Sequence, residues 1–194
     1  MTIQATARIL ALGLIALFSL PVATAHAEKP KRYQRSVEQY IVPDVELVNQ
    51  DRQKVRLQEL LSGDKPVMLD FIYGTCTTIC PVLSAGFSNL QKKLGTESGE
   101  LQLVSVTIDP QYDTPEIMKE YLQRYRSKPG WDFLTGSSED IDKVMHAFDA
   151  YVPNKMSHYP LTLLRGPGDK DWIRIYGLIG TGDLMAEYRG LVTP

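Results

Sequence analysis

The chain is poor in the residues that most often do chemistry or staple a fold. Its 194 residues hold two cysteines, Cys76 and Cys80, and three histidines, His26, His146 and His158. Two cysteines exclude a disulfide framework, and a bridge between positions i and i+4 closes too small a loop to stabilise much. Neither sign of charge dominates, since 21 Lys and Arg face 23 Asp and Glu. That balance gives no electrostatic footprint for nucleic acid, and no such partner is expected. Repeats and low-complexity tracts are missing as well, so the body of the chain reads as one domain able to bury an ordinary core. Long apolar runs are missing except at the N-terminus.

That exception reads as a targeting segment. Arg8 is the only charge before Glu28, Ile9–Leu20 is a twelve-residue apolar run, and Ala25-His26-Ala27 supplies a small-x-small cleavage site. The uncharged stretch Ile9–Ala25 is shorter than the roughly 20 residues that span a bilayer. A cleaved signal over residues 1–27 is therefore favoured over a membrane anchor, and the basic cluster Lys29, Lys31, Arg32 and Arg35 sits on the wrong side for an anchor. The expected location is the periplasm, with a mature form that is not membrane-embedded. Loss of Arg8 leaves 20 basic against 23 acidic residues. Residues 28–41 read as a short leader and residues 42–194 as the folded domain.

Within that domain, Val45–Val48 and Val55–Leu57 flank the polar turn 49–53 and predict a hairpin, with a short helix from Leu57. Strands are predicted at Val67–Tyr73, Leu101–Ile108, Trp131–Leu134, Leu161–Leu164 and Trp172–Tyr176. The last two bracket the turn Gly166-Pro-Gly-Asp169. Helices are predicted at Ile79–Leu94, Pro115–Arg126, Glu139–Tyr151 and about Gly182–Arg189. Strands alternating with helices, closed by a hairpin and a final helix, describe an α/β fold: a thioredoxin-like mixed sheet flanked by helices, with an additional N-terminal β-hairpin.

Cys76 and Cys80 follow the first of these strands directly, at the strand end where α/β sheets place their chemistry. The pattern puts both sulfurs in the first turn of a helix, where free N–H groups and the helix dipole favour thiolate. Such a pair can exchange electrons as a disulfide or bind a soft metal. Outside the cytosol a dithiol is oxidised unless a thiol reductant or a metal keeps it otherwise.

Of the histidines, His26 leaves with the signal, and His146 is turned toward solvent by the stripe Ile141, Val144, Met145 and Phe148. His158 lies in the polar loop 154–160, before a strand whose preceding loop lies against the cysteine turn in a thioredoxin-like sheet. Two thiolates and one imidazole form a soft, low-coordinate set suited to Cu(I), or to Cu(II) with a weak fourth donor. Structural zinc would require a fourth strong ligand that the chain has no cysteine to supply. Met156 is a candidate extra soft donor, although a rim methionine is the plainer reading. The fold analogy also raises a cis peptide at Tyr159-Pro160, against the trans preference of X–Pro bonds in general. Thr114 or Asp113 caps the helix that Pro115 opens.

Three features together resemble the Sco/SenC family: Cys76-x3-Cys80-Pro81 after an apolar strand, the segment 106–116 (Val-Thr-Ile-Asp-Pro-Gln-Tyr-Asp-Thr-Pro-Glu), and His158 before a late strand. The resemblance spans roughly Val42 to Arg189. It implies a thioredoxin-like domain that binds copper through Cys76, Cys80 and His158. It also implies a metallochaperone rather than a turnover enzyme, whose client is an oxidase subunit carrying the binuclear copper centre of cytochrome c oxidase. Thr77-Thr78 stand where the family usually has Pro-Asp, and Tyr159-Pro160 stand where small or apolar residues are usual. Both changes alter the turn and the surface a client would meet. Asp109 is expected either to support a ligand by hydrogen bonding or merely to end its strand before Pro110. The rival reading is a periplasmic thiol–disulfide oxidoreductase, with Cys76 attacking and Cys80 resolving. A peroxidase using Cys76 and Thr75 is a weaker third.

Overall fold

The computed structural model describes residues 32–193. Its organising element is β4 (Val67–Ile72), six residues that are all buried. A strand covered on both faces needs a nearly continuous apolar run, and Val67, Met68, Leu69, Phe71 and Ile72 supply it. β4 pairs in parallel with β5 (Gln102–Thr107) and antiparallel with β7 (Leu161–Arg165). β5 continues in parallel to β6 (Trp131–Thr135), and β7 continues antiparallel to β8 (Asp171–Gly177). The hairpin β2 (Glu46–Asn49) and β3 (Lys54–Arg56) joins through β6, so the mixed sheet runs β1-β8-β7-β4-β5-β6-β2-β3. Asn49 Oδ1 closes the hairpin turn by accepting the N–H groups of Asp51 and Gln53, both at 3.0 Å.

Helices cover both faces. α2 (Cys80–Leu94), α3 (Pro115–Arg124) and α5 (Thr181–Val192) place Leu83, Phe87, Leu90, Met118, Tyr121 and Leu184 against Met68, Ile72, Leu103 and Phe133. On the other face α1 (Leu57–Ser62) and α4 (Ser138–Ala147) pack Leu57, Leu61, Ile141 and Val144 against Leu69, Phe71, Val104 and Val106. The start of α3 follows its residues: Pro115 occupies the first turn, and Thr114 accepts the Ile117 N–H as the cap. Ser137 caps α4 in the same way through Asp140 N–H.

Three expectations are corrected. The proposed leader 28–41 contains an edge strand, β1 (Tyr33–Gln39), paired with β8 along its whole length. Four of its seven side chains in a row, Gln34 to Val37, are exposed. The ladder therefore holds the strand, and no apolar alternation marks it in the sequence. The second correction shortens α4, which ends at Ala147 instead of Tyr151 because Asp149 takes a left-handed φ of 51° and Ala150 N–H closes on Met145 O at 2.7 Å. The third concerns Tyr159-Pro160, which is trans; no peptide among the described residues is cis. The expected signal, residues 1–27, lies outside the described residues. Among those described, no helix is long and apolar enough to cross a membrane.

One polar side chain interrupts β4. Asp70 is fully buried between Ser105 of β5 and Thr162 of β7. Burial pushes its carboxyl up to about 7, offset only in part by the Ser105 hydroxyl beside it. Ser105 Oγ accepts the Trp131 indole N–H at 3.1 Å, and neither Asp70 oxygen has a partner within hydrogen-bond geometry. The folded state therefore holds a proton that the unfolded chain releases near pH 4. Stability from this group is complete below that value and is lost as pH rises toward about 7. Asp70→Asn is expected to flatten the pH dependence of the unfolding free energy between about pH 4 and 7 relative to wild type. Parallel denaturation profiles for the two proteins across that window would contradict the burial argument.

Candidate metal centre

The turn that leaves β4 is built on close approach. Gly74 donates its N–H to both carboxylate oxygens of Asp113 at 3.1 Å, and Cys76 N–H returns to Tyr73 O at 3.2 Å. A Cβ on residue 74 would stand 2.8 Å from Asp113 Oδ1 and 3.1 Å from Ile117 Cγ2, so glycine is the residue that fits. Asp113 is itself buried and accepts the Thr107 hydroxyl, while Thr107 Oγ1 accepts Asp109 N–H at 2.9 Å. Burial raises the Asp113 pKa, and the Thr107 and Gly74 hydrogen bonds oppose that rise. Asp113 thus ties the end of β5 and the start of α3 to the cysteine turn. The helix cap belongs to Thr114.

The two sulfurs occupy different environments, which corrects the expectation of one shared helical turn. Cys80 is the first residue of α2 and is fully buried; Cys76 precedes the helix and is 6% exposed. For Cys76, burial opposes ionisation. The Cys80 thiol, the Thr78 and Cys80 backbone N–H groups and the Thr78 hydroxyl outweigh it and bring the pKa down to about 7. Thr78 Oγ1 lies 3.6 Å from Cys76 Sγ. For Cys80, burial and the hydrogen bond with Cys76 drive the thiol far above its ordinary value. Both cysteines are free thiols.

His158 reaches this pair from the loop before β7. A 3-10 turn, Lys155–Ser157, is capped by Asn154, whose side chain accepts Met156 N–H at 2.9 Å. His158 Nδ1 lies 3.0 Å from Lys155 O. A carbonyl can only accept, so Nδ1 carries the proton and Nε2 keeps its lone pair. Nε2 lies 3.3 Å from Cys80 Sγ, and the ring meets Tyr73 edge-on with centroids 5.2 Å apart. Burial lowers the imidazole pKa, partly offset by the Lys155 carbonyl, so the neutral ring is favoured. The candidate ligand atoms of Cys76, Cys80 and His158 all lie within 4.8 Å of one another. They could hold one metal ion between them.

The remaining candidates divide. Asp109 touches none of the three residues but forms an ion pair with Lys155, whose carbonyl orients His158, so its support is one residue removed. Lys155 also lies over the Tyr73 and Tyr112 rings, at 5.5 and 4.7 Å. Met156 is 73% exposed and its sulfur accepts the Tyr73 hydroxyl at 3.5 Å. His146 is exposed on α4, hydrogen-bonded to Asp142 O at 2.8 Å and stacked on Tyr151, apart from the cluster. Thr75 is exposed in the cysteine turn, and His26 lies outside the described residues. Sequence reasoning missed the bracing roles of Asp113, Thr107, Lys155 and Tyr73. The pairing of Gly74 with a buried acid just before α3 was the available signal.

A thioredoxin-like sheet with two free thiols and an imidazole gathered at the C-terminal end of its central strand defines the class of protein. The SCO1/SenC family model matches residues 34–175, and the chain belongs to that family. A Bacillus subtilis protein named SCO1 protein homolog is 33% identical over 166 residues, covering 81% of each chain. A Stutzerimonas stutzeri protein whose name describes it as copper-binding is 36% identical over 114 residues, 58% of this chain and 54% of its own. BsSco, described as a member of the Sco family of cytochrome c oxidase assembly proteins and as having a disulfide switch, superposes with a TM-score of 0.66 at 30% identity. The match covers 79% of this chain and 94% of that one.

The brace is open to direct test. Asp113→Ala leaves the Gly74 N–H and the Thr107 hydroxyl without their buried acceptor, and is expected to cost about 2–4 kcal/mol of unfolding free energy. It should also speed alkylation of Cys80 by iodoacetamide as the turn loosens. Near-neutral denaturation together with unchanged labelling would remove Asp113 from this role.

Proposed function

We propose that this protein is a periplasmic copper-binding metallochaperone, with Cys76, Cys80 and His158 as the ligands. The observation that carries the reading is the His158 lone pair, fixed by the Lys155 carbonyl and aimed at Cys80 beside Cys76. Two sulfurs and one imidazole are soft donors that select Cu(I), and they serve Cu(II) when a weak further donor is added. A structural zinc site closes with four protein ligands. Among the described residues no fourth His, Cys, Asp or Glu joins the three. The relative named as copper-binding supports the choice of metal, and the description of BsSco supports cytochrome c oxidase as the client. Copper is then cargo. It leaves by stepwise ligand exchange, each thiolate yielding to a client ligand, and no turnover chemistry is required. The signal-like segment 1–27 supports export, and a periplasmic thiol reductant keeps the pair open for loading.

A second reading has its own observation. One thiol held near pKa 7 beside another pushed far up is the asymmetry of an attacking and a resolving cysteine. Such a protein would reduce client cysteines in the same compartment.

Anaerobic Cu(I) titration of the reduced protein separates the two. One equivalent is expected to bind, His158→Ala to weaken binding by at least about tenfold, and Cys76→Ser or Cys80→Ser to abolish it. The Cu(II) form should show a thiolate-to-copper charge-transfer band that either serine variant removes. Binding indifferent to His158, together with rapid insulin reduction, would favour the oxidoreductase instead.

A further inference from the structure

The three atoms assigned to copper are poorly placed to receive it. Cys76 is 6% exposed, Cys80 is fully buried, and His158 is half-buried with its free nitrogen turned inward toward Cys80. Copper(I) reaches a protein held by other soft donors, so loading is a ligand exchange that begins at an atom the carrier can touch. The rim offers one such atom. Met156 is 73% exposed, the most exposed large apolar side chain after Ile41 among the described residues. Its thioether is a soft donor that carries no proton, so it can take Cu(I) without first being ionised.

Its position is held. Met156 N–H is fixed by Asn154 Oδ1 at 2.9 Å, and the flanking Lys155 is anchored by Asp109. The Tyr73 hydroxyl donates to the Met156 sulfur at 3.5 Å, the Tyr73 ring packs edge-on against the His158 ring at 5.2 Å, and the Tyr73 carbonyl accepts the Cys76 N–H at 3.2 Å. One residue therefore touches the exposed sulfur, the imidazole and the cysteine turn. An exposed thioether gains nothing for the core, and its hydrogen bond from Tyr73 is a weak one. An incoming soft cation displaces that bond at little cost.

We propose that Met156 is the receiving donor for copper, an external docking position from which Cu(I) passes to Cys76 and then to Cys80 and His158. This rests on the copper reading above. The exchange leaves the metal Cu(I) throughout. A copper–thioether bond forms as a bond to the carrier's ligand breaks, and then a copper–thiolate bond to Cys76 forms as the thioether is released. The thiol protons leave to solvent only in the second stage. Tyr73 acts as a positioning residue, holding the sulfur at the rim of the site and freeing it as copper arrives.

The test is the rate of loading from a Cu(I)–bathocuproine disulfonate complex, followed by stopped-flow absorbance on the reduced, anaerobic protein. Met156→Leu keeps the volume and apolar character of the side chain and removes the soft lone pairs. It is expected to slow loading by about tenfold or more while one Cu(I) per chain still binds at the end point. Tyr73→Phe should slow loading less than Met156→Leu does. Equal rates for wild type and Met156→Leu would overturn the assignment. A second measurement stands apart from the cysteine site. With both cysteines replaced by serine and the methionine methyls carbon-13 labelled, Ag(I) should shift the Met156 signal, which Met156→Leu identifies. A Met156 methyl that does not move also overturns the assignment. If wild type takes up no copper, the metallochaperone reading fails and the silver titration still decides whether Met156 binds a soft cation.

Discussion

The site depends on the antiparallel register between β4 and β7. Their pairing runs from Val67↔Arg165 to Asp70↔Thr162. Because the strands are antiparallel, the loop that enters β7 must arrive where β4 ends. Continuing the register four residues brings His158 opposite Gly74, two residues from Cys76. A slip of one residue would turn Leu161 and Leu163 out of one core layer and Leu164 out of the other. The hydrophobic pattern that secures the sheet therefore also secures the distance between an imidazole and a thiol that are far apart in sequence.

Register brings the two loops together but does not hold them. That is done by polar contacts set into the edge of the core. Asp113 grips the cysteine turn through the Gly74 N–H and Thr107, and Asp109 grips the histidine loop through Lys155. Both carboxylates come from the segment after β5, whose own strand pairs with β4. The brace for each loop is therefore rooted in the same three-strand unit that sets the register. The Asp109–Lys155 pair is partly open to solvent and contributes modestly to stability, whereas the Asp113 contacts are buried and cost more to leave unmade. Unequal bracing matches the proposed function, in which the cysteine turn continues from the central strand while the histidine loop would admit and release the metal.

Much of this was legible from the residues. β4 announces itself by an apolar run broken only at Asp70, α3 by Thr114-Pro115, the hairpin by its polar turn, and the topology alone places His158 against the thiols. What stayed hidden was hidden for physical reasons. β1 is stabilised by a partner strand 130-odd residues away, and its own exposed side chains carry no alternation. Asp113 sits beside a proline in a helix-start pattern that explains it fully, so its buried contact with Gly74 needed coordinates. The helix pattern puts both thiols in one turn, and only the oxidoreductase alternative sets Cys76 apart as the attacking thiolate; helix position is one influence on a thiol, and burial outweighs it at Cys80. The trans Tyr159-Pro160 bond shows the limit of fold analogy, which carried the cis expectation with no residue-level argument beneath it.

The weight given to copper over disulfide exchange turns finally on what each would ask of His158. An exchanging pair needs one reactive thiol and a second within reach, and the two cysteines already satisfy that without an imidazole. A histidine serving them as a base would take a thiol proton on Nε2, and would do so best with its pKa near neutrality. Here burial lowers the pKa, so the Nε2 lone pair facing Cys80 is a weaker proton acceptor than that of a free imidazole. A fixed tautomer, a neutral ring and a lone pair pointed at sulfur are what a metal ligand requires. The same burial that hampers the ring as a proton carrier keeps it unprotonated for a cation, which favours the proposed copper reading over disulfide exchange.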